Sequence, residues 1–118
     1  MAKKQAAGEP TDMLKGTLDM LILQTLAPGA AHGHTIAHVI ERRSEDVLLV
    51  EHGSLYPALH RLEKSELVEG KWQTLASGQQ RKYYHITEKG SATLAEKRSS
   101  WVEFLTAMNL IIQIEGGR

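Results

Sequence analysis

The sequence predicts a mainly α fold with a small β-hairpin. Three observations predict it. Three short segments with helical apolar spacing fill the first half of the chain, two strand-like runs around a five-residue turn follow, and one long segment of near-heptad apolar spacing ends it. Helix, helix, helix, strand, strand, long helix is the order of a winged helix-turn-helix with a C-terminal helix appended. That architecture sets its third helix in a DNA major groove and its hairpin against the flanking backbone.

The first helix is expected from about Asp12 to Ala27. Leu14, Leu18, Leu21, Ile22 and Leu26 form its apolar stripe, Thr11 or Asp12 can cap its start, and Pro28-Gly29 stops it. The second helix runs roughly from His34 to Arg43, with Ile36, Val39 and Ile40 inward. Val47 to Val50, β-branched at both ends, reads as a short extended segment. The third helix is expected from Ser54 to Ser65, with Leu55, Leu59 and Leu62 at i, i+4, i+7. Ser54 is its expected N-cap, which puts Pro57 in the first turn, where a missing N–H costs little.

Leu67 to Leu75 and Arg81 to Ile86 read as strands, with Val68 and Trp72 inward on the first and Tyr84 and Ile86 inward on the second. Ala76-Ser-Gly-Gln-Gln80 has hairpin length and a glycine for the turn. Thr87 then caps a final helix expected to reach about Ile114. The expected division is a tail at 1–11, a winged domain at 12–87, a dimerisation helix at 88–115 and a short tail at 116–118.

At 118 residues the chain has room for one domain, and a core is feasible without covalent staples. It has no cysteine, which excludes disulfides, thiolate metal sites and cysteine nucleophiles and suits a cytoplasmic setting. The longest apolar stretch, Met20 to Ala27, is far short of the ~20 residues that span a bilayer, so no membrane partner is expected. Lys plus Arg equals Asp plus Glu at 14 each, which excludes a supercharged tail but not a local basic patch.

The wording of the chain is more specific than its periodicity. Leu14-Lys-Gly-Thr-Leu-Asp-Met-Leu-Ile-Leu23, His32-Gly33, Glu51-His-Gly-Ser-Leu-Tyr-Pro-Ala-Leu-His-Arg-Leu-Glu63 and Arg81-Lys-Tyr-Tyr-His-Ile-Thr-Glu-Lys-Gly90 resemble the PadR family of bacterial transcriptional regulators. The single C-terminal helix is similar to that of the family's short-chain branch. The resemblance implies a homodimeric DNA-binding regulator, usually a repressor that leaves its operator when a small, often planar aromatic, effector binds.

On the third helix, the side away from the leucines offers Ser54, Tyr56, Pro57, His60, Arg61 and Lys64. Tyr56, His60 and Arg61 are expected to approach base edges, where Arg can bond two guanine acceptors and aromatic or proline carbon can touch a thymine methyl. Ser54 and Lys64 are expected on phosphates. Around the hairpin tip Gln79, Gln80, Arg81 and Lys82 are the candidates for phosphate or minor-groove contact, which fixes register more than sequence. Between His52 and Lys89, six Lys and Arg face four Glu, so the expected attraction is moderate and salt-dependent. Tyr83, alternating with Tyr84, either touches DNA or covers the sheet.

Leu94, Trp101, Leu105, Met108 and Ile112 follow 7-4-3-4 spacing, widened by Phe104 and Ile111. Such a helix cannot bury its apolar face on a small winged domain alone, and pairing with its twin gives a C2 homodimer. Trp101, Leu105, Met108 and Ile112 are therefore the dimer residues. Trp101 either belongs to a slot for a flat aromatic effector or is plain dimer core, and the sequence leaves both open. Three rival readings stand beside this one. His34 and His38, four apart with Glu41 or His32 nearby, outline a metal sensor without a clear third ligand. Ser54, His60 and Asp46 lack the strand-turn-helix elbow of a serine nucleophile, and no phosphate-binding glycine loop occurs, so no catalytic residue and no cofactor is assigned. A winged helix that binds a protein instead of DNA is the third.

Overall fold

The computed structural model describes residues 11–112, with side chains from Gly16 onward. The two expected tails apart from Thr11, which opens the first helix, the capping side chains of Thr11 and Asp12, the Leu14 side chain and any helix beyond Ile112 lie outside the described residues. The elements are α1 (Thr11–Leu26), β1 (Ala31–His32), α2 (Gly33–Arg43), α3 (His52–Lys64), β2 (Val68–Thr74), β3 (Gln80–Ile86) and α4 (Glu88–Ile112). The expected winged helix-turn-helix with its long last helix is the architecture found.

One core joins the three short helices to the base of the hairpin. Ile22, Leu23 and Leu26 of α1, Ile36 of α2, Leu55 and Leu59 of α3 and Val68 of β2 are all but sealed from solvent. All but Leu23 come from the apolar stripe read for their element, so the stripes largely dictate which faces meet; Leu23 is sealed although it lies outside the stripe, while Leu21 is only half-buried. Tyr84 is buried, as expected, while Tyr83 is half-buried.

The sheet has three antiparallel strands in the order β1-β3-β2, one more than expected. Ala31 pairs with Tyr84 and His32 with Tyr83, which holds the start of α2 against the wing. A two-residue strand has no periodicity to detect. β2 and β3 pair from Val68↔Ile86 out to Thr74↔Gln80. The turn is closed by the Gly78 N–H donating to the Leu75 carbonyl at 2.8 Å, with Gly78 at φ +90°, a conformation that costs glycine little.

Four expectations are corrected. Val47–Val50 is not a strand. Glu45 and Asp46 both adopt positive φ, the Leu48 N–H donates to the Ser44 hydroxyl, and the Val50 N–H donates to Glu41 Oε2, so local bonds consume what a strand would offer. α3 begins two residues before Ser54, and its N-cap is Glu51, whose carbonyl accepts from the N–H groups of Ser54 and Leu55. Pro57 consequently lies in the second turn and gives the Gly53 carbonyl no i+4 donor. Trp72 is on the same face as Val68 but 66% exposed, because the outer half of the hairpin has no body beneath it.

Thr87 caps α4 as expected: the Gly90 N–H donates to its hydroxyl oxygen at 2.9 Å, and that hydroxyl donates to the Glu66 carbonyl at 2.7 Å. Gly90 and Leu94 are the buried residues of α4. From Leu94 to Ile112 the helix therefore runs roughly 27 Å without another buried residue, at 1.5 Å per residue. The radius of gyration, 16.0 Å, exceeds the roughly 13.5 Å of a compact chain this long, and the projecting helix accounts for it.

Candidate nucleic-acid interface

Leu55, Ala58, Leu59 and Leu62 bury one side of α3. Gly53, Pro57, His60 and Lys64, spaced 4-3-4, therefore hold the opposite side, and all four are exposed. This is the outward ridge of the recognition helix. Ser54 is exposed on one flank of it.

The other two expected base readers occupy the flanks and already have protein partners. Arg61 Nη2 donates to Asp19 Oδ1 of α1 at 2.9 Å, with the arginine side chain 40% exposed. The remaining N–H groups of its planar fork leave donors for another acceptor. Tyr56 leans on the start of α2, its ring packed so closely on Gly33 that a Cβ there would lie 2.8 Å from Cε1.

In the wing, Gln79, Gln80 and Arg81 are exposed near the tip. Lys82 is not. Its Nζ donates to Glu63 Oε1 of α3 at 2.9 Å and stands 5.4 Å from the Tyr84 ring centroid and 5.9 Å from that of Trp72. The hydrogen bond to Glu63 is the main cause holding the Lys82 ammonium above its ordinary pKa, against a smaller desolvation effect. Burial pushes the Tyr84 phenol up.

The structure also assembles a belt of rings that the sequence does not reveal. Tyr83 meets His32 edge-on at 5.5 Å, His32 stacks on His34 at 6.2 Å, His34 meets His52 at 6.1 Å, and His52 meets Tyr56 at 5.7 Å. It links the wing, the start of α2 and the start of α3. His32 and His34 are two positions apart in sequence, but nothing local ties them to His52 or Tyr83. Among the described residues no group of three or more His, Asp or Glu is placed to hold a metal ion.

Arg81 Nη1 donates to His32 Nε2 at 3.3 Å, and Thr35 Oγ1 lies 3.0 Å from the same nitrogen. Because a guanidinium can only donate, Nε2 takes the acceptor role in this arrangement, which favours the neutral ring. Burial, then the Arg81 charge, then His34 hold His32 below its ordinary pKa. The unfolded chain takes up this proton near pH 6.5 and the folded chain only at lower pH, so stability falls as pH drops through about 6.5. The loss levels off below the folded-state pKa. In His32→Gln, whose amide oxygen can still accept from Arg81, urea midpoints between pH 7.5 and 5.5 are expected to fall less steeply than in wild type. Equal slopes would show that His32 carries no part of the acid sensitivity.

Residues 22–96 match the model of the PadR-like family of transcriptional regulators. A transcriptional regulator of Mycobacterium tuberculosis is 34% identical over 82 residues, covering 70% of this chain and 73% of its own. A PadR-like transcriptional regulator from Bacillus cereus superposes with a TM-score of 0.74 at 36% identity, covering 88% of this chain and 99% of its own. A transcriptional regulator from Clostridium thermocellum gives a TM-score of 0.74 at 26% identity over 88% of this chain and 99% of its own. With the family model covering most of the chain, and the recognition helix and wing inside the match, the protein belongs to the PadR-like family of transcriptional regulators.

Proposed function

We propose that this regulator acts as a homodimer on a pseudo-palindromic double-stranded DNA operator, and that it represses transcription until a small aromatic effector releases it. The single observation that carries the DNA reading is the outward ridge of α3, Gly53, Pro57, His60 and Lys64, exposed along the whole helix while its other side is sealed by leucines. Small and proline residues at 53 and 57 let the helix approach a groove floor closely. His60 and Arg61 read base edges, Tyr56, braced against the start of α2, supports them, and Ser54 and Lys64 meet phosphates. Gln79, Gln80 and Arg81 at the wing tip meet the flanking backbone. In this division residues 12–87 bind DNA and 88–115 dimerise.

The dimer reading rests on α4. Val102, Phe104, Leu105, Leu110, Ile111 and Ile112 are all exposed on one protomer, a long apolar surface of the kind that marks an interaction site. Pairing through it sets two copies of α3 on half-sites ~34–36 Å apart. The effector reading rests on Trp101, half-buried and edge-on to Phe104 at 5.7 Å. The open groove along α4, lined by Ala95, Arg98, Ser99, Val102 and Glu103, does not include Trp101, so a slot around Trp101 has to be completed by the second copy.

The test is a titration of DNA from upstream of the protein's own gene. Wild type should shift it, with affinity falling steeply as salt rises. Arg61→Ala should weaken specific binding by ~1–3 kcal/mol and relax preference at one position. Because Arg61 also ties α3 to α1, the melting temperature of the variant has to be read beside its affinity. An Arg61→Ala protein with wild-type preference at every operator position would remove Arg61 from the base-reading set. Planar aromatics should quench Trp emission and release the operator together; release by none of them would defeat the effector reading.

A further inference from the structure

Of the six Lys and Arg between His52 and Lys89, Lys82 is the one whose side chain turns back onto the recognition helix. Its route is specific. Lys82 sits opposite Trp72 in the β2–β3 ladder, yet its stem crosses diagonally over Gly70 to reach Glu63 in the last turn of α3. A Cβ at position 70 would collide with Lys82 Cε and lie 3.1 Å from Glu63 Oε2, so glycine there opens the path. Tyr84 and Trp72 flank the ammonium on either side, and both members of the pair are about two-thirds shielded.

The position matters mechanically. α3 runs into β2 through a turn at Ser65-Glu66, with Glu66 at φ 65°. The base of the hairpin is pinned by Thr87 to the Glu66 carbonyl and by Lys89 to the Ser65 carbonyl at 3.1 Å. Beyond Gly70 the β2 strand is exposed residue after residue. Among the described residues, the Lys82–Glu63 pair is the one polar tie to α3 between that base and the tip.

We propose that Lys82 and Glu63 form a strut, threaded over Gly70 and clasped by Trp72 and Tyr84, which sets the angle of the wing against the recognition helix. Lys82 is then a positioning residue of the DNA interface and not one of its phosphate contacts. A wing held at one angle contacts backbone at one distance from the bases read by α3. The strut thus defines which flanking phosphates belong to the half-site. This deepens the DNA-binding reading and rests on it.

Charge exchange separates the two roles of Lys82. The proteins compared are wild type, Lys82→Glu, Glu63→Lys, the double exchange and Gly70→Ala. Hydrogen exchange of the hairpin amides is measured in the free dimer, and hydroxyl-radical footprints are taken on the upstream DNA. Each single exchange should raise exchange of amides 71–74 and 80–83 by about 10-fold and erase the flanking footprint while the central one persists. The double exchange conserves the summed reach of the pair and should restore both. A phosphate contact could not be restored, since a carboxylate at 82 repels DNA. Gly70→Ala displaces the lysine without altering any charge and should reproduce the single variants.

Two results would overturn the strut: hairpin exchange unchanged in the single variants and in Gly70→Ala, or a double exchange whose hairpin is protected again but whose flanking footprint stays lost. If wild type binds no DNA at all, the DNA-binding reading fails, and hairpin exchange in the free protein still decides the strut.

Discussion

Alanine at position 90 is expected to destabilise the fold by about 3 kcal/mol, at the upper end of overpacking effects. For a domain of this size that lowers the melting temperature by roughly 10–20 °C. Gly90 lies in the first turn of α4, where its N–H meets the capping Thr87. An added Cβ would run into the carbonyl oxygen of Leu67, with the Leu67 carbonyl carbon at 3.0 Å and Ile86 Cγ1 at 2.8 Å. Backbone cannot rotate aside as a side chain can, so either α4 or the base of the wing has to shift. Gly16→Ala is the natural control. A Cβ there meets nothing within 4 Å, and the change is expected to stabilise α1 by about 0.5–1 kcal/mol. Thermal melts followed by circular dichroism decide it; a Gly90→Ala protein melting beside wild type would show that the start of α4 is loosely seated. The functional consequence follows from the same contact. Gly90 sets where α4 leaves the winged body, and in the proposed dimer that would set the spacing of the two copies of α3.

The second large effect is expected at Leu105. In the free protomer this side chain is 48% exposed, in the middle of the apolar surface of α4. If twin helices close that surface, Leu105→Asp buries two unpaired carboxylates per dimer, at a cost of several kcal/mol. It also removes two apolar side chains worth about 1.5–3 kcal/mol each when buried. The variant should sediment as a monomer at micromolar concentration, keep its helical spectrum, and bind the full operator about 100-fold or more weakly, since only one half-site is then held per molecule. Because Leu105 has little to do within its own protomer, the melting temperature of the monomer should change far less than the association constant. A Leu105→Asp protein of unaltered mass and operator affinity would place the dimer interface elsewhere.

The two tests bracket the last helix from its ends. Gly90 answers to atoms of its own chain, and Leu105, in the proposed dimer, to atoms of another copy. The sequence hints at this division through composition: Leu94 is the last member of the stripe to find cover within the protomer, and the run from Trp101 to Ile112 carries more apolar surface than a small winged body can accept.

Much of the fold was legible for a plain reason. Leu18, Ile22 and Leu26, Ile36 and Ile40, and Leu55, Leu59 and Leu62 lie at helical spacing on segments that are each bounded by a stop or a cap, and all are buried in one core. Tyr84 was placed inward by strand alternation, and Thr87 at a helix start by its hydroxyl. Failures came where local preference was overruled. Val47 to Val50 has strand composition, but two positive-φ residues and the Ser44 hydroxyl turn the chain before any partner strand is met. Trp72 obeys the alternation and still stays in solvent, because alternation chooses a face and does not supply a body to cover it.

The residues of the interface divide in the same way. That Pro57, His60 and Lys64 point away from the leucines follows from 3.6 residues per turn and was determined by the sequence alone. So were the hairpin, the start of α4 and the family likeness. What only the tertiary structure decided is which of the cations have partners. Arg61 meets Asp19 across 42 positions of chain, Lys82 meets Glu63 across 19, and Arg81 meets His32 across 49. Periodicity reports on neighbours three or four residues away, whereas an ion pair between distant elements depends on how those elements are packed. A basic residue near a hairpin tip therefore reads the same in sequence whether it reaches out toward a phosphate or turns back to brace the helix behind it.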